Sequence, residues 1–349
     1  MSWEKLADTG FPIDFVIPWV DGTDPEWQKE KAQYQGLDLS AADDRASRYR
    51  DWGMLKFWFR GVEKFAPWVH RIYFVTCGHV PDWMNPNAPK LVHVKHVDYM
   101  PQEYLPTFSS HPIELNLHRI EDLSEHFVYF NDDLFLLKPV EPEFFFKSGL
   151  PVFSNEMQPV IARPGSVAMA NIYINDISII NNHFNPNETL KDKQRWYSFR
   201  THGKKAALFN LFFARYFSRH GFIGFRNPHF AVPTLKSTMN LVWREEADIL
   251  DATSRRKFRD SRDVNQYLFR YWHFATNQFI PEKTGNLGKF FEITEDTEPI
   301  CKAIREQLYP QIVLNDNDQL YSDLPLQKAQ EEICSAFESI LPEKCIYEK

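Results

Sequence analysis

Ile13-Asp14-Phe15-Val16-Ile17 is an apolar run with one acidic interruption, the length and pattern of a buried strand. The turn-rich stretch Pro18-Trp19-Val20-Asp21-Gly22-Thr23-Asp24-Pro25 predicts the loop that ends it. Ser40 to Arg48 reads as a polar loop. Asp51 is placed to cap a helix running to about Phe65, with Leu55, Phe59 and Val62 on one face and Pro67 as the stop. The β-branched runs Arg71–Thr76 and Lys90–Val97 predict two further strands. Ser110–Arg119 reads as helical, and Phe127–Phe130 as a short apolar strand running directly into Asn131-Asp132-Asp133.

Strand, helix and strand in alternation predict the α/β class, with a mainly parallel sheet covered by helices. Ligands of such sheets bind beyond the carboxyl ends of the strands. The acid-bearing loops at Asp21/Asp24 and Asp132/Asp133 both fall at predicted strand ends, which is the first functional clue.

The pattern changes over residues 151–224, which read as a helical insertion. Within it, KKAALFNLFFARYFSR (Lys204–Arg219) is apolar nearly all round with basic ends. Such a helix is expected first as a buried core element, and second as a membrane-surface or lipid-acceptor helix. Arg244–Trp272, Thr297–Leu308 and a final amphipathic stretch over Leu326–Leu341 also read as helices. The expected organisation is one catalytic domain over 1–349. It comprises an α/β half at 10–140, the insertion at 151–224, a second catalytic half at 225–320 and a C-terminal helical segment at 321–349.

Composition narrows the partners. The chain has 349 residues with a formal net charge of −7, which argues against a general nucleic-acid binder. Its 30 Phe and 10 Trp suit a Phe-rich core before they suit sugar stacking. Cys77, Cys301, Cys334 and Cys345 form no CxxC pair and read as reduced buried thiols rather than a zinc site or disulfide frame. The first residues, MSWEKLADTG, hold no apolar signal core, and no apolar run is long enough to span a bilayer. The expected location is cytoplasmic, with peripheral contact at the inner face of the membrane left open and oligomeric state undetermined.

Several residues carry candidate chemistry. Asn131-Asp132-Asp133 after a strand suits a hard Mg2+ or Mn2+ ion shared with a diphosphate, or else an Asx-turn. His111, Glu114 and His118 fall at i, i+3 and i+7 and are expected on one face of a helix; the HExxH order is absent. Arg50, Lys56 and Arg60 accompany the helix near Asp51, and Arg60 is expected beside its apolar face, toward a cleft. Guanidinium groups there suit phosphate oxygens. His229 is followed by Lys236, then by Arg259 and Asp263, and a His near a phosphoryl site suits proton transfer. Leu314-Asn315-Asp316-Asn317-Asp318 is a second Asn-Asp element, suited to a metal or nucleotide contact.

Taken together, these segments resemble the Stealth family of sugar-phosphate transferases. The resemblance rests on four blocks in order: IDFVIPWVDGTDPEW (Ile13–Trp27); Arg48–Val140, including HPIELNLH and VYFNDDLFLLKPV; NPHFAVPTLKS with KFRDSRDVNQYL; and VLNDN. It implies a Rossmann-like nucleotide-sugar transferase sheet. It also implies transfer of a hexose-1-phosphate from a UDP-sugar (UDP-GlcNAc, UDP-GalNAc or UDP-Gal) to a hydroxyl of a polysaccharide or lipid-linked glycan, with release of UMP. The setting it implies is bacterial capsule or exopolysaccharide synthesis.

By motif position Asp133, Glu114 and His229 look like catalytic groups, with base and metal-ligand roles unassigned among them. Arg60 and Arg259 look like phosphate clamps. Asp132, Asp133 and Asp316 look like holders of Mg2+ or Mn2+. Trp19, Asp21, Gly22, Asp24, Arg50, Asp51, His118, Lys236 and Asp263 look like substrate contacts. Two other readings use the same sequence: a metal-dependent glycosyltransferase that releases UDP, and a non-catalytic polysaccharide-binding protein. Arg60, His229 and Arg259 beside two acidic loops favour the phosphotransferase.

Overall fold

A computed structural model describes residues 10–35, 50–162, 167–316 and 323–349. The expected loop Ser40–Arg48 and the residues Asn317 and Asp318 lie outside the described residues. A five-stranded sheet forms the centre, built from β1 (Ile13–Pro18), β2 (Ile72–Thr76), β3 (Leu91–Lys95), β4 (His126–Tyr129) and a later strand, Val232–Leu235. The spatial order is β3-β2-β1-β4 followed by that later strand. The first four run parallel, and Val232–Leu235 runs antiparallel to β4 at the edge.

Alternation along the strands divides the core in two, as a parallel sheet covered on both faces requires. Phe15, Ile17, Phe74, Val128 and Phe130 pack with Trp58, Phe59 and Val62 of the Leu55–Phe65 helix and with Ile333 and Phe337 of the Asp323–Ile340 helix. Val16, Tyr73, Val75, Phe127 and Tyr129 pack on the other face against Leu268, Tyr271 and Phe274 of a helix, Tyr267–Ala275, whose nine residues are all buried. The acidic interruption in β1 is satisfied: buried Asp14 accepts from the backbone N–H groups of Arg71 and Ser124 and meets His70 Nδ1 at 2.9 Å.

A second, three-stranded sheet positions the acidic loops. β5 (Leu134–Leu136) follows Asp133 directly and pairs antiparallel with a late strand, Gln311–Asn315, which pairs parallel with Lys289–Glu292 on its other side. A third, small sheet joins Phe146–Lys147, Leu150–Phe153 and Ile280–Pro281.

Several expectations change. The Leu55–Phe65 helix begins after Met54, and Asp51 does not cap it; Asp51 instead accepts from Gly53 N in a turn where Gly53 takes a φ of +67°. Ser110–Arg119 is one α-helix, Ser110–Leu115, and a separate 3₁₀ turn, Leu117–Arg119. The break at Asn116, whose side chain donates back to Pro112 O, ends the seven-residue register expected for His111, Glu114 and His118. Arg244–Trp272 divides into Lys236–Glu245, Ala247–Ser254 and Tyr267–Ala275. Cys77 is exposed rather than buried, while all four cysteines are free thiols. The Lys204–Phe217 helix is not a core helix: it buries Ala206, Ala207 and Asn210, packs Phe213 partly against the core, and leaves its other large apolar side chains exposed.

Arg60 receives the largest correction. It is on the Leu55–Phe65 helix as expected, but turned toward the C-terminus of the chain and away from any cleft. Its Nε and Nη2 donate to Glu348 at 2.7 and 2.9 Å, and Nη1 donates to Leu341 O at 2.8 Å. Arg60 and Glu348 are 6% and 5% exposed, so this bidentate pair is buried and committed. The physical reason is local: burying a guanidinium beside an apolar face requires a paired carboxylate, and residue 348 supplies it. Arg60→Ala is expected to cost about 3–5 kcal/mol by stranding Glu348, with the turnover of the folded fraction unchanged. Urea unfolding alongside activity per folded molecule checks this; lost turnover at unchanged stability would contradict it.

Candidate active site

The cleft follows from the strand order. The chain steps from β1 outward to β2 and β3, then returns to place β4 on the other flank of β1. At such a switch point the two following loops separate and leave a crevice at the carboxyl ends. Val16 stands opposite Tyr129, and Phe130 N donates to Val16 O at 2.8 Å, so the loop from Trp19 and the loop Asn131-Asp132-Asp133 emerge side by side. The crevice is a cleft of about 690 Å³, within the range of a nucleotide-sized ligand. Trp19, Arg50, Asp51, His111, Glu114, Asn131, Asp132, Asp133, His229, Arg259 and Asp316 all line it.

His229 arrives from the opposite direction. The antiparallel edge strand Val232–Leu235 begins at the cleft end of β4 and finishes at the far end, where Leu235 pairs with His126. His229 therefore lies in the cleft, and Lys236 lies at the other end of the sheet. There Lys236 Nζ donates to Ile120 O, Glu121 O and Leu123 O and holds a turn, which removes it from the expected substrate contacts. His229 has a φ of +59°, in the left-handed region that few non-glycine residues adopt.

Its imidazole is about one-third open to the cleft, at 34% exposure. Nε2 stands 3.1 Å from the Asn131 amide nitrogen and 3.3 Å from Asp133 Oδ2, and Nδ1 stands 3.3 Å from the Tyr267 hydroxyl. The Asn131 contact suits a bare Nε2 and the Asp133 contact a protonated one. Enclosure alone would push this imidazole down, but the charge and hydrogen bond of Asp133 outweigh it and hold the group above its ordinary value.

Glu114 is the buried acid of the site, 5% exposed on the Ser110–Leu115 helix. Burial pushes its carboxyl up to about 7, against the opposing pull of Arg259 and of the Gln266 N–H that it accepts at 3.3 Å. Arg259 donates from Nη2 to Ser110 Oγ at 3.0 Å, so it stands on the same wall as Glu114. Asp132 is exposed on the cleft surface. Its carboxyl is nonetheless raised, by partial loss of hydration and then by the charge of Asp133. Asp133 Oδ1 is a buried oxygen with no hydrogen-bond partner.

Other expected contacts stand one layer back. Asp263 is buried behind the wall, where its Oδ2 meets His111 Nδ1 at 2.8 Å and its Oδ1 accepts from Arg256 at 2.8 Å. It orients a cleft-lining histidine rather than touching the cleft. His118, cut off by the helix break, is buried against Trp243, and burial lowers its imidazole to about 3. Asp21 closes its own turn by accepting from Thr23 N and Oγ1 at 2.9 and 2.6 Å. Asp24 caps the Pro25–Gln35 helix through Trp27 N at 2.8 Å, and Gly22 O accepts from Gln28. These three shape the loop, while Trp19 and Trp27 present its lining surface.

Asp316 is brought beside Asp133 by the second sheet, in which Leu314 N donates to Asp133 O at 2.9 Å. Its Oδ2 accepts from Arg50 at 2.6 Å and from Trp52 Nε1 at 3.2 Å. Lining residues to which the sequence attaches no role include Tyr129, Tyr173, Gln266 and Tyr267. Gln266 and Tyr267 lie inside the quoted RDVNQYL segment, so a signal existed. Tyr173 sits in the insertion, where there was none.

The chain matches Stealth protein conserved region 1 over residues 11–37 and conserved region 2 over residues 48–152. It is 39% identical to a receptor polysaccharide phosphotransferase of Streptococcus oralis and 39% identical to a capsular polysaccharide phosphotransferase of Streptococcus pneumoniae. Each alignment spans 342 residues, 96% of this chain and 99% of the relative. It is 36% identical to an exopolysaccharide phosphotransferase of Lactiplantibacillus plantarum, over 97% of both chains. An α/β cleft of this kind, with matches of this extent, defines a sugar-phosphate transferase. The chain belongs to the Stealth family.

The raised Glu114 carboxyl makes a testable contribution to stability. Between its ordinary range near 4.5 and about 7 the unfolded chain releases this proton and the folded chain keeps it, so folding stability falls as pH rises through that window. The loss attributable to Glu114 is on the order of 3 kcal/mol. Glu114→Gln is expected to be more stable relative to wild type at pH 8 than at pH 5. Chemical unfolding at both values checks it, and an equal difference at both would mean that the carboxyl is not held neutral.

Proposed function

We propose that the protein transfers a hexose-1-phosphate from a UDP-sugar to a hydroxyl of a polysaccharide or lipid-linked glycan, releasing UMP, in capsule or exopolysaccharide synthesis. The observation that carries this reading is the contact of His229 with Asp133 in one cleft with Asp132, Glu114 and Arg259. In the proposed reaction the acceptor oxygen forms a bond to the sugar-bearing phosphorus of the donor. The phosphorus–oxygen bond to UMP breaks, and the hydroxyl proton passes to the enzyme. Little covalent chemistry falls to the protein, which positions the reactants, neutralises charge and takes a proton.

His229 Nε2 is assigned as the proton acceptor. The imidazolium formed there is held by Asp133 Oδ2, 3.3 Å away, while Tyr267 accepts from Nδ1–H and fixes the ring. Arg259, tied to Ser110, is assigned to the donor phosphates. Glu114, near its midpoint at neutral pH, is assigned to orient the acceptor hydroxyl. Trp19 and Trp27 are assigned to the nucleotide end of the cleft.

Asp132 and Asp133 fit a divalent cation. One has a raised carboxyl that a cation would discharge, and the other an unpartnered buried oxygen. Mg2+ or Mn2+ would be bound there by the two carboxylates and completed by substrate phosphate and water. Such an ion supplies neutralisation of the diphosphate charge. Asp316, already engaged by Arg50, is assigned to position that arginine rather than to bind the ion.

Nucleotide release from UDP-sugars, with Mg2+ and glycan acceptor, tests the reading: UMP is expected, and UDP would place the protein among the glycosyltransferases. His229→Ala is expected to lose on the order of 10²-fold or more in kcat with the fold intact, and wild-type kinetics would remove it from the mechanism. In the presence of UDP, Mg2+ is expected to raise the unfolding temperature of wild type but not of Asp132→Asn or Asp133→Asn. An equal rise in all three would place the ion elsewhere.

A further inference from the structure

The Lys204–Phe217 helix is built inside out. Its inner face carries Ala206, Ala207 and Asn210, all buried, with Phe213 and Ala214 partly buried against the core beside them. Asn210 fastens the helix by donating to Asn155 O and Trp196 O and accepting from Met157 N, at 2.8 to 3.1 Å. The outer face carries Leu208, Phe209, Leu211, Phe212, Tyr216 and Phe217, each between 40% and 59% exposed. An ordinary surface helix has the opposite polarity, and a contiguous exposed apolar patch of this kind marks an interaction surface.

Charge indicates what covers it. Between Lys193 and Arg244 the sequence contains no Asp or Glu, although the chain as a whole has a net charge of −7. Arg200, Lys204, Lys205, Arg215 and Arg219 border the apolar residues and are all exposed. A basic border around an aromatic and aliphatic face fits a surface that is apolar within and negative at its boundary. Among the described residues no helix is long and apolar enough to cross a membrane. A helix of 14 residues is about 21 Å long, suited to lying in a bilayer interface.

We propose that this face docks the protein on a bilayer containing anionic lipid. The apolar side chains enter the boundary between headgroup and acyl region, and the bordering cations pair with lipid phosphates. The placement relates to the cleft. Just beyond the helix, Ile223 O and Gly224 O accept from Val160 N and Gln158 N at 3.3 and 3.1 Å. That pairing connects the docked element to the segment carrying Ile161, an exposed apolar residue on the cleft lining. The inference concerns the outer face of the helix alone and stands independently of the chemistry assigned to the cleft.

The test is cosedimentation of the whole chain with vesicles of phosphatidylcholine, with and without phosphatidylglycerol. Preferential binding to the anionic vesicles is expected, weakened by added salt. Lys204→Glu with Lys205→Glu, and separately Phe209→Ser with Phe212→Ser, are each expected to reduce partitioning on the order of tenfold or more. Both pairs are exposed, and an unchanged unfolding temperature shows that the fold is retained. Equal binding to both vesicle types, no binding, or wild-type partitioning by both variants would overturn the proposal. A stable dimer that the phenylalanine variants abolish, without vesicle binding, would overturn it in favour of a second copy of the chain.

Discussion

The pairing of β1 with β4 is the constraint on which the site depends. Because Val16 stands opposite Tyr129 in parallel register, the chain leaves both strands at the same end of the sheet. Each strand is buried on both faces, so a slip of one residue would exchange its two core faces and misplace both loops. The antiparallel strand Val232–Leu235 completes the arrangement, since its direction delivers His229 to the cleft end of β4. The Gln311–Asn315 strand then pairs with β5 and brings Asp316 and its partner Arg50 to the rim. Four distant segments thus meet through strand pairing, a rigid means of holding reacting groups in register.

The groups that meet are electrostatically unbalanced, and the imbalance suits transfer of a phosphorylated fragment. Asp132 and Asp133 face one another's charge, Glu114 stays largely neutral until about pH 7, and His229 is held above its ordinary value by Asp133. Titratable groups pushed away from their usual ranges in one cleft mark sites of proton and charge handling. The left-handed backbone at His229 belongs to the same picture, being a strained conformation maintained by the packed strand that follows it. Behind the wall, buried Asp263 bridges His111 and the half-buried Arg256 and so holds the imidazole in place.

Much of this was legible in the sequence because it is local. The buried run Ile13–Ile17, the strand at Phe127–Phe130 and the acids at its end all follow from spacing, and they place Asp132 and Asp133 in the cleft. Glu114, His229 and Arg259 were identified through the family motifs, and the structure brings them onto the walls of one cavity. The placements of Arg60 and Lys236 are decided by partners far away in the chain. Arg60 reads as a cleft residue from FRGVEKF, but its true partner is 288 residues downstream at Glu348. His118 was lost to one side-chain hydrogen bond at Asn116, and Lys236 to the direction of its strand. For the Lys204–Phe217 helix, hydrophobicity alone could not distinguish a buried face from an exposed one. The deciding residue was Asn210, whose backbone contacts turn the small side of the helix inward.

The central claim is that the phosphorus–oxygen bond to UMP breaks while the sugar keeps its phosphate. A UDP-sugar labelled with ¹⁸O at the oxygen joining the sugar to phosphorus tests it most directly. Cleavage at the phosphorus–oxygen bond to UMP carries the label into the glycan phosphodiester and leaves the released UMP without it. Label recovered in UDP, with the sugar joined directly to the acceptor oxygen, would contradict it.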